Sequence, residues 1–399
     1  MPVPPGWKDP SLPSGPSQKW QIKGPPRNES GPWSEYDNLI PGPHTRSLEL
    51  VDGAAGAKDM SRYLMCPPGV VGFDLKARQW QMFDVACCDD VVFNRGAIDS
   101  LVMREERKSV IKSLVHRYTA VDAPAGGTQV PKPWTADFIK NKGEGQIFLL
   151  HGSPGVGKTY TAECIAEATR RPLLSLTCGD IGTNEVMAER TLSKWFRLAE
   201  IWGAVMLLDE ADVFLEKRSI SDLQRNSLVS VFLRIVEYYR GILFLTTNRV
   251  GQFDDAFISR IHTVIHYENF SNDEQDRIWT QFFKKLEKER RKDMRIDRSA
   301  WKYVFENKDL RKIEWNGRQI RNAFQTAVAF AEYRFLQLRP EDKEEGEKAS
   351  LEDQDFAKVC EMTIAFQGYM TSIHGGDEAK RARLERIRDD KFKDGSGSV

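Results

Sequence analysis

Residues 146–170 read QIFLLHGSPGVGKTYTAECIAEATR. An apolar run, a glycine-rich turn and a helix-compatible segment follow without a break, which is the order of a buried strand, a loop and a helix. The turn, Gly152-Ser153-Pro154-Gly155-Val156-Gly157-Lys158-Thr159, matches GxxxxGK[ST] in the setting that gives the pattern its mechanism. Gly152, Gly155 and Gly157 let backbone amides wrap phosphates without Cβ clashes, and the positive end of the helix points at the same anion. Lys158 is expected to reach the β and γ phosphates of ATP, and the Thr159 hydroxyl to ligate Mg²⁺. Tyr160 completes the nucleotide-binding stretch.

Downstream, VMLLDEAD (205–212) is a hydrophobic run that ends in acids. Such a run places its carboxylates at the carboxyl edge of a sheet, where open α/β folds bind ligands. Asp209 is expected to hold Mg²⁺ through its water shell, and Glu210 to act as general base on the attacking water. Asn248, in the TTNR that ends the next apolar run, is placed to orient that water beside the γ phosphate.

Five apolar segments, QIFLLHG, PLLSLT, AVMLLDE, GILFLTTN and HTVIHY, read as buried strands, and helix-compatible sequence follows each of the first four. Alternating strand and helix predicts a parallel sheet covered on both faces. After Asn269 amphipathic helices take over, at roughly 272–292, 317–337 and 353–372. Ahead of the sheet, LVMREERKSVIKSLVHRY carries helical periodicity, with Leu101, Val110, Leu114 and Val115 expected on one face. Eleven of the 19 prolines fall within the first 43 residues, so 1–58 is expected to be a disordered Pro-rich tail. Segment 59–92 reads as small and β-rich, 93–270 as the α/β core, 271–374 as the helical lid, and 375–399 as a charged, fraying tail.

The 58 basic and 58 acidic side chains cancel, which argues against nucleic acid as a partner. No apolar run is long enough to cross a bilayer, so no membrane insertion is expected. Six cysteines without metal-ligand spacing fit a reducing intracellular compartment, cytoplasmic or nuclear. The charged run Lys284–Arg295 reads as a solvated helix face.

The phosphate loop, the acidic pair, the Asn at the following strand end, the FDDAFISRIH segment and the helical lid together resemble the AAA+ ATPases over roughly Phe93 to Met370. The sequence ahead of and around the loop looks particularly like AAA-type ATPases of filamentous fungi. The resemblance implies ATP hydrolysis in a ring, of six subunits, with Arg260 entering the neighbouring subunit's site as an arginine finger. The usual two arginines separated by Pro-Gly are here the shorter Ser259-Arg260, which leaves a structural salt bridge as the alternative. WNGRQIRNAF resembles the second sensor motif of the lid, with Arg318 as the nucleotide-facing candidate and Arg321 next. CGDIGTNEVMAERTLSKWF departs from protein-threading members, since no aromatic occupies the pore-loop position, and Trp195 and Phe196 are expected in the core. ATP is expected between core and lid, with adenine near 97–104. The expected partners are further copies of the chain and an unidentified protein substrate or adaptor. A nucleotide-gated scaffold with negligible turnover is the alternative function.

Overall fold

The computed structural model describes residues 67–94, 96–119, 144–182, 185–217, 223–337, 348–374 and, nearer the C-terminus, 382, 383, 385 and 387–390. The tail expected over 1–58 lies outside them, as does segment 120–143. The first described elements are an antiparallel hairpin of β1 (Gly69–Asp74) and β2 (Gln79–Asp84), then helix α1 (Glu105–Thr119).

The strands read from the sequence form one parallel sheet: β3 (Gln146–Gly152), β4 (Leu173–Thr177), β5 (Val205–Asp209), β6 (Ile242–Thr247) and β7 (Thr263–Tyr267). Their order is β4-β5-β6-β3-β7. The longer helices between them are α2 (Lys158–Thr169), α3 (Glu185–Trp202) and α4 (Leu223–Tyr238).

Successive side chains of a strand point to opposite faces, and each face builds its own core. Ile147, Leu149, Met206, Leu208, Leu243 and Leu245 pack under Leu192, Phe196, Phe232 and Val236 of α3 and α4. Phe148, Leu150, Leu207 and Phe244 pack under Ile111, Ala162 and Ile165 of α1 and α2. A strand buried on both sides has no polar alternation, which is why these segments read as unbroken apolar runs. Trp195 and Phe196 are buried on α3.

The hairpin leans on the outside of α3. Phe73 meets Trp202 with ring centroids 4.8 Å apart and Trp195 at 6.0 Å. Arg78 forms an ion pair with Asp180 in the turn that follows β4, the turn compared above with a pore loop.

The expectation for α1 needs correction. The helix starts at Glu105, so Leu101 lies outside it, and Val110 is 45% exposed. The buried stripe is Lys108, Ile111 and Val115, spaced three and four apart as one helix face requires.

The lid holds helices α5 (Asn272–Arg290), α6 (Arg298–Glu306), α7 (Gly317–Gln337) and α8 (Asp353–His374). Ser271 and Glu274 start α5 with a reciprocal capping box. Trp279, Phe283, Phe324 and Phe356 centre the lid's core, with Phe283 stacked on Trp301 at 4.2 Å. A three-residue parallel ladder of β8 (Met294–Ile296) and β9 (Ala349–Leu351) fastens the end of α5 to the start of α8. The charged run ahead of β8 is exposed and carries ion pairs such as Arg290–Glu332, 2.9 Å, as expected of a solvated face. The described residues of the C-terminal stretch lie against the core instead of fraying: Ala382 is buried and Gly251 N–H donates to the Ile387 carbonyl at 3.0 Å.

Candidate functional site

Parallel registration sets Thr177 beside Asp209 and His151 beside Thr247, so the carboxyl ends of β3, β4, β5 and β6 form one edge. The phosphate loop turns at that edge. Gly152, Gly155 and Gly157 hold φ of +141°, +78° and +98°. A Cβ on Gly152 would run into the Tyr267 carbonyl, and one on Gly155 would lie 2.6 Å from Asn316 Oδ1. Glycine is therefore required twice over, for the dihedral and for the close approach. Gly157 caps α2 with no side chain bonded to the helix's first amides, the arrangement in which a helix N-terminus receives an anion.

Lys158 is buried, and its ammonium donates to the Gly152 carbonyl at 2.9 Å, the Ser153 carbonyl at 2.7 Å and Asn248 Oδ1 at 2.8 Å. Burial first, then the Arg388 guanidinium, pulls its pKa down to about 8, against an upward pull from Asp209 and Asp212. Three of the sequence-predicted groups thus meet: the loop, Lys158 and Asn248.

A second polar chain runs beside them. Thr159 Oγ1 lies 3.1 and 3.2 Å from the two carboxylate oxygens of Asp209. The Thr246 hydroxyl donates to Asp209 Oδ1 and accepts from the Glu210 N–H at 3.1 Å. The Glu210 carbonyl accepts from Cys178 Sγ at 3.1 Å, and Thr247 donates to Asp212. Glu210 itself sits at φ +54°, a left-handed conformation that costs a non-glycine residue on the order of 1 kcal/mol. Its backbone is pinned at both ends while its side chain is exposed at the edge.

The Thr159 hydroxyl and Asp209 carboxylate are hard oxygen donors in mutual contact, the set Mg²⁺ takes together with phosphate oxygens. Among the described residues no group of three or more His, Cys, Asp or Glu gathers as a rival metal site. The residues present fit Mg²⁺.

The lid reaches the loop through its backbone. Gly317 N–H donates to the Gly155 carbonyl at 2.9 Å, which seats the start of α7 on the phosphate loop. Arg318, in the first turn of α7, is exposed, and its charge is felt at Lys158. Arg321 acts farther along α2, where it opposes the rise that burial and Asp209 impose on the Glu163 carboxyl.

Arg260 is engaged elsewhere: its guanidinium donates to the Ala256 carbonyl at 2.7 Å and to Glu237 Oε2 on α4 at 3.2 Å. Within one chain it is thus a salt bridge at the foot of α4. Tyr160 shares a 2.7 Å hydroxyl contact with Ser100 and lines a cavity of about 830 Å³ together with Phe93, Asn94, Ala97 and Glu163.

Sequence reading missed Thr246, Cys178, Asn316 and Arg388. Thr246 stood in view beside Asn248, whereas nothing in the local pattern marks Arg388.

Residues 148–269 match the family described as ATPase family associated with various cellular activities (AAA), and residues 270–377 match the fungal AAA+ ATPase lid domain. The chain is 31% identical over 155 residues to human ATPase family AAA domain-containing protein 3B, covering 36% of this chain and 23% of that protein. It is 32% identical over 152 residues to the Drosophila melanogaster ATPase family AAA domain-containing protein 3A homolog, covering 36% of this chain and 25% of that protein. Against ATPase family AAA domain-containing protein 3 of Caenorhabditis elegans the figures are 31% over 156 residues, 37% and 26%. The matches span about a quarter of the length of these relatives. Core and lid each match, in that order along the chain, and the chain belongs to the AAA+ ATPases.

Proposed function

We propose that the chain hydrolyses ATP with Mg²⁺ at the Lys158–Asp209 edge, as an oligomer in which Arg260 completes a neighbour's site, and that the motion of lid against core remodels a protein partner. The observation that carries this reading is the convergence of two polar chains on one sheet edge: Lys158 on Asn248, and Thr159 on Asp209 with Thr246 and Glu210 behind.

In this reading the loop amides and the start of α2 bind the phosphates, and the Lys158 ammonium exchanges its carbonyl partners for β and γ oxygens. Thr159 and Asp209 would hold Mg²⁺, which when bound neutralises charge on those phosphates. Asn248 orients the attacking water, and the Glu210 carboxylate takes its proton. The cavity beside Tyr160 and Ala97 offers adenine a place next to the predicted 97–104 segment. Because the first turn of α7 touches Gly155, a change at the phosphates is handed directly to the lid.

Oligomerisation rests on Arg260. Its Nε is buried without a hydrogen bond, so the pairing with Glu237 satisfies the guanidinium only in part. An arginine delivered to a phosphoryl-transfer site is worth roughly 10³ to 10⁵ in rate.

The test is steady-state ATP hydrolysis across a range of protein concentrations, with Glu210→Gln run alongside. Specific activity that rises with concentration and vanishes in the variant supports the reading. Tight ATP binding with flat, near-zero turnover in the unaltered protein would replace it with the nucleotide-gated scaffold.

A further inference from the structure

The described residues hold three non-glycine positions with a left-handed backbone, Arg78, Arg170 and Glu210, and a line of contacts joins the first to the last. Arg78 closes the turn between β1 and β2 at φ +56°, where its N–H donates to the Asp74 carbonyl at 2.6 Å. The Asp74 carboxylate accepts from the N–H groups of Lys76 and Ala77 at 2.8 and 3.0 Å and from Gln81 Nε2 at 2.8 Å, so the turn is held from within. Glycine or asparagine takes such a position at little cost, whereas an arginine there is strained. The turn itself gives no reason for an arginine; the path of its side chain does.

That side chain leaves the hairpin for the turn that follows β4. Arg78 Nη1, shut off from water, forms the ion pair with Asp180. Asp180 Oδ2 also accepts from the N–H and the hydroxyl of Thr177, at 2.7 and 2.8 Å, which fixes the last residue of β4. The next residue, Cys178, donates its thiol to the Glu210 carbonyl at 3.1 Å, while the Glu210 N–H donates to Thr246 at 3.1 Å. The two peptide groups that flank the strained Glu210 Cα are therefore tied to different elements, β6 on one side and the Thr177–Asp180 turn on the other.

A left-handed residue relaxes once one flanking peptide is free to rotate, and that rotation swings its side chain. A thiol is a weak donor, so the tie from Cys178 is only as firm as the turn that presents it. The hairpin braces that turn twice. Arg78 holds Asp180, and Phe73 packs against Trp195 and Trp202 of α3, the next long helix along the chain.

We infer that Arg78 is a positioning residue for the Glu210 carboxylate, with the β1–β2 hairpin bracing the catalytic edge through Asp180, Thr177 and Cys178. The inference rests on the reading above in which Glu210 is the general base. It gives the segment ahead of the core a part in turnover that needs no contact with nucleotide.

The experiment compares the full chain with Arg78→Gly, Arg78→Lys, Cys178→Ala and the Arg78→Gly/Cys178→Ala double variant. Two quantities are read: kcat at saturating ATP with Mg²⁺, and calorimetric affinity for the non-hydrolysable β,γ-imido analogue of ATP. Arg78→Gly relieves the left-handed strain while it removes the guanidinium, so a role confined to the hairpin predicts no fall in turnover. The brace predicts about a fivefold fall in kcat, with analogue affinity changed by less than about twofold. Arg78→Lys should recover part of that fall. Cys178→Ala is expected to show the same split, and the double variant to lose less than the product of the two single losses, since both act through one turn. Unchanged kcat in Arg78→Gly would overturn the inference, as would an affinity loss equal to the fall in kcat. So would a deficit that vanishes at high protein concentration, which would make the hairpin an assembly element. Losses that multiply would refute the route through Cys178. Should Arg78→Gly fail to fold, Asp180→Asn is read in its place, since it keeps an acceptor for Thr177 and drops the charge that meets Arg78. Persistent turnover in Glu210→Gln would instead bring down the base assignment, and the brace with it.

Discussion

A single buried hydroxyl joins the two acids of the site. Thr246 donates to Asp209 and accepts from the Glu210 N–H, so one side chain sets both the carboxylate facing Thr159 and the left-handed backbone of Glu210. Thr246→Val keeps the shape and removes both bonds, leaving a buried N–H without its partner. The expected result is a stability loss of about 1–3 kcal/mol in chemical denaturation and a larger fractional fall in kcat than in ATP affinity. Thr246→Ser should restore most of the turnover; failure of that rescue would show that the methyl group matters, not the hydroxyl. Lys158→Ala removes the cation that the loop carbonyls and Asn248 hold, and direct titration should show ATP binding lost. Near-normal affinity would contradict the phosphate cradle.

At the scale of elements, the contact to watch is the seat of α7 on the phosphate loop. Gly155 holds φ +78° and leaves no room for a Cβ against Asn316, while its carbonyl accepts from Gly317. Gly155→Ala therefore strains the loop and displaces the Asn316 amide, whose Oδ1 accepts from the Gln319 N–H in the first turn of α7. Its expected outcome is weakened nucleotide binding with the fold retained, read as a loss of the thermal shift that ATP gives the unaltered chain. Adding Asn316→Ala should recover only part, because it relieves the steric clash and leaves the dihedral strained. Inside the lid, Phe283 is fully buried among Trp279, Trp301, Phe324 and Phe356. Phe283→Ala should cost about 3–5 kcal/mol, visible as a lowered denaturation midpoint; a change under about 1 kcal/mol would mean that this aromatic cluster collapses onto the cavity.

Considered as a whole molecule, the chain holds one proposed catalytic group that its own site does not use. Arg260 lies on Glu237, away from Lys158's partners, and the proposal sends it to a neighbouring copy. Arg260→Ala should then cut turnover by at least about tenfold while ATP affinity stays nearly intact, since the finger acts on the transition state. Mixing the impaired Arg260→Ala with Lys158→Ala offers a sharper check. A shared site pairs an intact Lys158 from one copy with an intact Arg260 from the other, and the mixture regains activity that neither variant shows alone. Activity no greater than the sum of the two would confine each site to a single chain.

What sequence alone determined about this protein is what local chemistry can carry. The GSPGVGKT turn needs its glycines for dihedrals that no other residue adopts cheaply, and it has to follow a strand and open a helix. Apolar runs separated by helix-compatible sequence imply a parallel sheet covered on both faces, while the order of its strands, β4-β5-β6-β3-β7, was left to the tertiary structure. Tertiary structure decided the rest, because those choices depend on partners distant along the chain. Whether Val110 or Ile111 faced inward turned on where α1 begins. The β8–β9 ladder is three residues long on each side, too short to show a period. Arg260 and Glu237 are separated by a strand and two turns, and Thr246 matters only because β5 and β6 are neighbours. The C-terminal stretch is the extreme case: its reading as a solvated charged end followed from local composition, and only the hydrogen bond from Gly251 to Ile387 brings it against the core.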